Sequence, residues 1–91
     1  MASNFQIYSF KTKNSLHLKL AGDFDGGSAY DLIHTLEKNN KDFYDIFIDT
    51  SDINNIHPFG REVFQKKLGA LKNQFHGISF VGENGKELLA D

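Results

Sequence analysis

Residues 44–50 read YDIFIDT, and this stretch decides the predicted fold. Ile46, Phe47 and Ile48 form an apolar triplet between acidic residues, a pattern typical of a strand that is buried on both of its faces. Strands of a parallel sheet are buried in this way because helices cover the sheet from each side. The triplet therefore predicts a central parallel strand in an α/β protein.

The flanking segments predict the other strands and the helices. Residues 5–10 and 15–21 predict the two strands of an N-terminal antiparallel hairpin, and residues 77–81 predict a last short strand. After the turn at residues 22–28 a helix is expected, which Asp25 or Ser28 can cap. Residues 51–57 predict a polar loop, and Pro58 suits the first position of a second helix. Residues 84–87 resemble a capping box that opens a short third helix.

Together these elements predict one α/β domain over residues 1–91. We expect a mixed four-stranded sheet with an N-terminal hairpin and parallel later strands, covered by helices. In such sheets, binding surfaces gather at the carboxyl ends of the parallel strands. Residues 22–28 and 49–60 follow two of those ends, so they are the first places to look for a function.

The composition excludes several classes of protein. The 91 residues include no Cys, which excludes disulfide scaffolds, thiol nucleophiles and Cys-bearing zinc sites. The formal net charge of −2 lacks the positive charge that nucleic-acid binding requires, so no nucleic-acid partner is expected. No apolar run exceeds three residues, which argues against insertion into a membrane. We expect a soluble, cytoplasmic protein with no cofactor and no metal.

Both loops at this edge of the sheet resemble the signature stretches of STAS domains, the family of the anti-sigma-factor antagonists and of the domains attached to sulphate transporters. Residues 49–60 read DTSDINNIHPFG and are similar to the family's strand end Asp-Leu-Ser followed by Gly-Val-x-x-Ile-Asp-Ser-Ser-Gly. Residues 20–25 read LAGDFD and, with Ser28, Ala29 and Leu32, are similar to Leu-x-Gly-x-Leu-Asp-x-x-(Thr/Ser)-Ala-x-x-Leu. The resemblance covers residues 5–90. It implies the SpoIIAA-like (STAS) fold and a regulatory protein partner, such as an anti-sigma factor or its kinase.

The chain departs from the family at the position that carries the family's switch. In family antagonists a kinase phosphorylates a Ser or Thr just after the loop's Asp, at the start of the helix. Here His57 replaces that Asp, Pro58 occupies the acceptor position, and Phe59 replaces the next Ser. Proline has no hydroxyl, so position 58 cannot be phosphorylated. We predict a non-enzymatic domain that binds its partner without phosphorylation at this position. The predicted partner-binding residues are Asp23, Asp25, Ser51, His57, Pro58, Phe59 and Arg61.

Two of these assignments have alternatives. Phe59 is either an exposed aromatic anchor for a partner or the first residue of the apolar stripe that its helix turns to the core. Thr50 and Ser51 are either substitute phosphate acceptors or, more simply, hydroxyls that bond within the turn.

The acidic residues suggest chemical functions as alternatives. Residues 23–26, DFDG, are similar to the first motif of haloacid-dehalogenase-type phosphotransferases, in which Asp23 would be the nucleophile and Asp25 the acid/base, with magnesium. Gly22 separates this motif from its strand, and helix capping explains Asp25 without catalysis. A magnesium or nucleotide site would need Asp23, Asp25, Asp49 and Asp52 to converge, and the chain has no Gly-rich phosphate loop with a Lys. By resemblance, a subunit of a lipid-transport complex is a further alternative.

Overall fold

The structure, a computed structural model, describes residues 4–39, 45–71 and 77–89. Four strands and three helices occur in these ranges. In chain order they are β1 (Gln6–Lys11), β2 (Ser15–Phe24), α1 (Gly26–Lys38), β3 (Asp45–Ile56), α2 (Pro58–Leu71), β4 (Gly77–Val81) and α3 (Asn84–Leu89).

The strands form one mixed sheet in the order β1-β2-β3-β4. β1 pairs antiparallel with β2 through the predicted hairpin, and β2, β3 and β4 pair in parallel. The predicted fold class is therefore confirmed. Among the described residues no helix has the length and apolar character needed to cross a membrane.

The buried apolar side chains form one cluster on one face of this sheet. Leu16, Leu18 and Leu20 of β2 alternate with half-buried or exposed residues, as the sequence pattern predicts. The rings of Phe24, Phe64 and Phe80 then link β2, α2 and β4 through two edge-to-face contacts, each with 5.8 Å between ring centroids. Each such aromatic pair adds about 0.5–1.5 kcal/mol to the stability that burial provides. The helices are thus held to the sheet by a single core.

The opposite face of the sheet is not covered by any described helix, so the prediction that β3 is buried on both faces is wrong. Ile46 and Ile48 are buried, but Phe47 between them is only half-buried. The direction in which the chain crosses the sheet explains why helices cover only one face. The parallel strands follow one another in sequence order across the sheet, and right-handed crossovers that advance in one direction all lie on the same face. α1 and α2 therefore both pack on the side of Ile46 and Ile48.

Strand β3 also continues through most of the segment that was predicted to be a loop. Asp52, Ile53, Asn55 and Ile56 pair with residues 21–24 of β2, and the register shifts at two places. β3 places Thr50 and Ser51 opposite the single residue Leu20, and Asn54 is an extra residue farther along. The first of these bulges returns Ile53 to the buried face despite its odd spacing from Ile48.

Candidate functional site

Helices α1 and α2 begin side by side at the carboxyl ends of β2 and β3. Phe24 pairs with Ile56 at the end of the ladder, and the His57 N–H donates to the Phe24 carbonyl oxygen at 2.8 Å. A Cβ at Gly60 would lie 2.5 Å from the carbonyl carbon of Asp25, so the start of α2 approaches the start of α1 as closely as a glycine allows. We call Asp25, Gly26, Gly27, His57 and Phe59 the docking edge; together they line a shallow concavity of about 440 Å³.

Asp25 has a structural role in this edge as the N-cap of α1. Its carboxylate accepts from the backbone N–H of Ser28 at 2.9 Å and from the Ser28 hydroxyl at 3.1 Å. The hydrogen bond from the Ser28 N–H lowers the pKa of Asp25, while desolvation partly opposes it. Of the two capping residues that the sequence allowed, Asp25 is the cap. Ser28 is instead buried within the first turn, where its single hydroxyl proton is shared between the Asp25 carboxylate and the Asp23 carbonyl oxygen, the latter at 2.9 Å.

The Phe59 ring is the largest apolar group of the docking edge. It is 67% exposed and lies outside the core, which rules out its interpretation as the first residue of the buried stripe. A Cβ on Gly26 would lie 2.8 Å from Cε2 of this ring, so the ring rests over the first turn of α1. Gly26 and Gly27 were not among the predicted site residues, although a Gly-Gly pair directly after a capping Asp is a signal of close approach.

The other predicted site residues lie in different surroundings. Pro58 is exposed at the first position of α2, as predicted, and Arg61 is half-buried in the same helix. The Asp23 carboxylate accepts from the Asn55 side-chain amide at 3.0 Å, and Asn55 was not among the predicted site residues. Ser51 lies in the bulge of β3, beside the turn at Gly82, and does not line the docking edge.

The two hydroxyls that could substitute as phosphate acceptors differ in exposure. Thr50 is fully buried and its hydroxyl donates to the Val81 carbonyl at 2.9 Å, so it holds β3 to the end of β4. Ser51 is exposed, and its backbone N–H donates to the Asp49 carboxylate at 2.9 Å. Hydrogen bonds from the Ser51 hydroxyl and from this N–H lower the pKa of Asp49.

The four carboxylates proposed for a metal or nucleotide do not converge in the described part of the chain. Asp52 pairs with Lys19, with 3.1 Å between Oδ2 and Nζ, and Asp49 bonds to Ser51. Asp23 and Asp25 bond to Asn55 and Ser28. No group of three or more potential ligands that could hold a metal ion occurs in residues 4–39, 45–71 and 77–89.

Comparison with known proteins shows similarity in structure only. No protein-family model and no curated protein sequence matches the chain. An uncharacterized protein of the DUF3478 family from Shewanella loihica PV-4, described as having a SpoIIAA-like fold, is similar over 91% of this chain and 72% of its own, with 16% identity and a TM-score of 0.65. The unphosphorylated anti-sigma factor antagonist SpoIIAA is similar over 91% and 92%, with 13% identity and a TM-score of 0.53.

A crystal structure of Mglu is similar over 80% of this chain, with 14% identity and a TM-score of 0.71. The chain spans only 18% of the length of that protein. At these identities the similarity concerns the arrangement of the backbone. The order, pairing and direction of the strands and the positions of α1 and α2 nevertheless agree with the expectation drawn from the two loop motifs. The chain has the SpoIIAA-like fold.

Proposed function

We propose that this chain is a non-enzymatic, cytoplasmic protein-interaction domain, which binds a regulatory partner protein at the docking edge without phosphorylation at position 58. The exposure of Phe59 carries the proposal: a rigid ring that is 67% exposed lies over Gly26, beside the polar His57. An aromatic anchor with polar neighbours is the composition typical of residues that dominate the binding energy of protein interfaces.

The chemistry of the edge favours binding over catalysis. The Asp25 carboxylate is engaged by two hydrogen bonds that begin α1, and Asp23 is engaged by Asn55. A nucleophile and its acid/base partner need freedom to meet a substrate, and here each carboxylate has a structural bond instead. An anti-sigma factor or a related kinase remains the leading class of partner because of the STAS-like motifs in residues 20–32 and 49–60.

Because Pro58 cannot be phosphorylated, the proposed interaction does not depend on the phosphorylation that switches family antagonists. A phosphate would bring a charge of about −1.5 to −2 to the start of α2, and a partner surface could respond to it. Position 58 has no hydroxyl to accept this group, and the fully buried Thr50 hydroxyl is bonded to Val81. The amount of complex is therefore set by the concentration of each protein and by competing partners.

Quantitative affinity capture tests the proposal. Tagged wild-type protein, Phe59→Ala and Tyr30→Ala are used to recover partners from the native cell, and each recovered partner is then titrated against the purified variants. Tyr30 is the control because it is also an exposed aromatic residue, 54% exposed against 67% for Phe59, and it lies on α1 outside the docking edge. We expect Phe59→Ala to weaken binding about tenfold or more, since loss of a dominant interface residue costs about 2 kcal/mol.

Equal affinity of wild type and Phe59→Ala for every recovered partner would contradict the docking edge. The titration is repeated after phosphatase treatment of the chain, and unchanged affinity is expected. A partner that binds only the phosphorylated chain would contradict the constitutive part of the proposal.

A further inference from the structure

The face of the sheet opposite the helices carries a row of stacked rings. Phe10, His17 and Phe47 lie opposite one another on β1, β2 and β3 in the strand register. The His17 and Phe47 rings are stacked, with 4.9 Å between centroids and 17° between planes, and Phe10 is tilted against His17 at 6.1 Å. We call these three residues the aromatic ladder. Next to Phe47 on β4, the register places the small residue Ser79.

A second row of side chains runs beside the ladder. It consists of Tyr8, Lys19, Asp49 and Val81, one from each strand. Tyr8 and Val81 are 53% and 45% exposed at the two ends, and Lys19 and Asp49 lie between them. The two rows enclose a shallow concavity of about 270 Å³. None of the three described helices covers this face, although parallel strands are normally covered on both sides. An additional helix would complete the usual arrangement of layers.

The charge of this face indicates which side chains a helix that covers it would need. Asp45 and Asp49 lie two residues to either side of Phe47 on β3, on the same face of the strand. Lys19 is the cation of this face in the described part of the chain, and it is paired with Asp52. Acidic groups therefore exceed basic ones around an aromatic ring. A guanidinium matches this arrangement, because it stacks on aromatic faces and bonds to carboxylates with the same planar group.

The size of the face limits the occupant. Four strands about 4.8 Å apart and five residues of about 3.3 Å each give a surface of roughly 300 Å². A stable dimer needs about 600–1,000 Å² from each partner, so a second copy of this domain packed on this face falls short, whereas a weaker, transient contact with a single helix can bury less. A single helix, about 10 Å across, spans the four strands in about three to four turns and covers roughly two thirds of this surface.

We propose that this face is a second docking surface, and that it binds an amphipathic helix of a partner protein, with an arginine of that helix placed against Phe47 between Asp45 and Asp49. The apolar residues of the helix contact Phe10, Tyr8 and Val81. This surface is separate from the docking edge, with which it shares no residue.

A designed peptide tests this inference on the intact chain. The probe is a capped helical peptide of about 18 residues, or about 27 Å in length, with leucines and two arginines on one face and alanine and glutamine elsewhere. A matched peptide carries glutamine in place of both arginines. Binding is followed by amide chemical shifts in two-dimensional NMR. We expect shifts in β1, β3 and β4, and about tenfold weaker binding of the glutamine peptide, as loss of a desolvated cation–π contact predicts.

Variants of the chain locate the contact. Phe10→Ala and Asp49→Asn are each expected to weaken binding of the arginine peptide about three- to tenfold. Phe59→Ala, matched to Phe10 in exposure, is expected to leave the affinity for this peptide unchanged. Three outcomes would overturn the inference: equal binding of the two peptides, shifts confined to α1 and α2, or a dimer in sedimentation that Phe10→Ala dissociates. Because Phe59 governs only the docking edge, a failure here leaves the proposed function to be judged by its own experiment.

Discussion

Two glycines of α2 differ in what surrounds them, and this difference gives a prediction at the scale of single residues. A Cβ at Gly60 would meet the backbone of Asp25 at 2.5 Å, and backbone cannot move aside as a side chain can. A Cβ at Gly69 would meet nothing within 4 Å. We expect Gly60→Ala to lower the free energy of unfolding by about 1–3 kcal/mol through overpacking. Gly69→Ala is expected to raise it by about 0.5–1 kcal/mol, because alanine favours a helix.

Urea denaturation of the two variants measures both effects in one helix. Opposite signs are the essential result, since helix propensity alone would make both substitutions stabilising. If Gly60→Ala proved as stable as Gly69→Ala, the close contact between the starts of α1 and α2 would be wrong, and with it the geometry of the docking edge.

The buried hydroxyl of Thr50 gives a second prediction at this scale. Thr50→Val keeps the shape of the side chain but removes the hydrogen bond to the Val81 carbonyl. We expect the free energy of unfolding to fall by about 1 kcal/mol, the usual net value of such a bond. Thr35→Val is the control, because the Thr35 hydroxyl bonds to the Asp31 carbonyl in the exposed part of a helix, where water can replace it. If Thr50→Val and Thr35→Val lost the same free energy of unfolding in thermal or urea denaturation, the buried Thr50 hydrogen bond would have no special role.

At the scale of elements, the cap of α1 links stability to pH. Asp25 has a lowered pKa in the folded chain, so its contribution to stability is present above the unfolded pKa of about 3.9 and is lost as pH falls through the lower folded pKa. Asp25→Asn keeps a good cap but cannot titrate, and Asp25→Ala loses the cap at a cost of about 1 kcal/mol. We expect wild type and Asp25→Asn to be similar at neutral pH and to diverge on acidification.

Urea denaturation from pH 7 down to about pH 2 checks this. The difference between wild type and Asp25→Asn is the useful quantity, because the lowered pKa of Asp49 affects both proteins alike. A difference that stays constant below pH 4 would contradict the capping role of the ionised carboxylate.

The elements also show what the sequence could and could not predict. Pro58 marked the start of α2, and alternating leucines marked β2, because both signals are local. The extension of β3 to Ile56 was missed because two bulges change the spacing of its buried residues, so that the alternation of a strand is no longer visible. Apolar residues at Ile53 and Ile56 were the remaining signal.

The residues of the candidate site also differ in whether the sequence could predict their position. His57 and Asp25 could be expected to meet, since the carboxyl ends of neighbouring parallel strands lie at one edge. Ser51 was placed in the same group only because the bulge that turns it toward Gly82 was not visible in the sequence. The asymmetric coverage of the sheet depends on the order and direction of the strands, which Ile46, Phe47 and Ile48 alone do not encode.

At the scale of the whole molecule, one core on one face makes the two central strands the most stable part of the fold. β2 and β3 each have neighbours on both sides, whereas β1 and β4 are the edges of the sheet. β1 in addition has no buried residue, and of its residues only Ile7 packs against the core, next to Phe5, which precedes the strand. Local opening of β1 therefore exposes little apolar surface and costs little free energy.

Native-state hydrogen exchange tests this order of stability. We expect the amides of β2 and β3 that bond to each other, within residues 16–19 and 46–49, to exchange only by global unfolding. The amides of β1 should exchange with a free energy about 2 kcal/mol lower and with little dependence on denaturant, since an edge strand can open alone. If the exchange of β1 instead matched that of β2 in both free energy and denaturant dependence, the hairpin would be part of the cooperative core, and stability would not follow the one-sided packing described for this sheet.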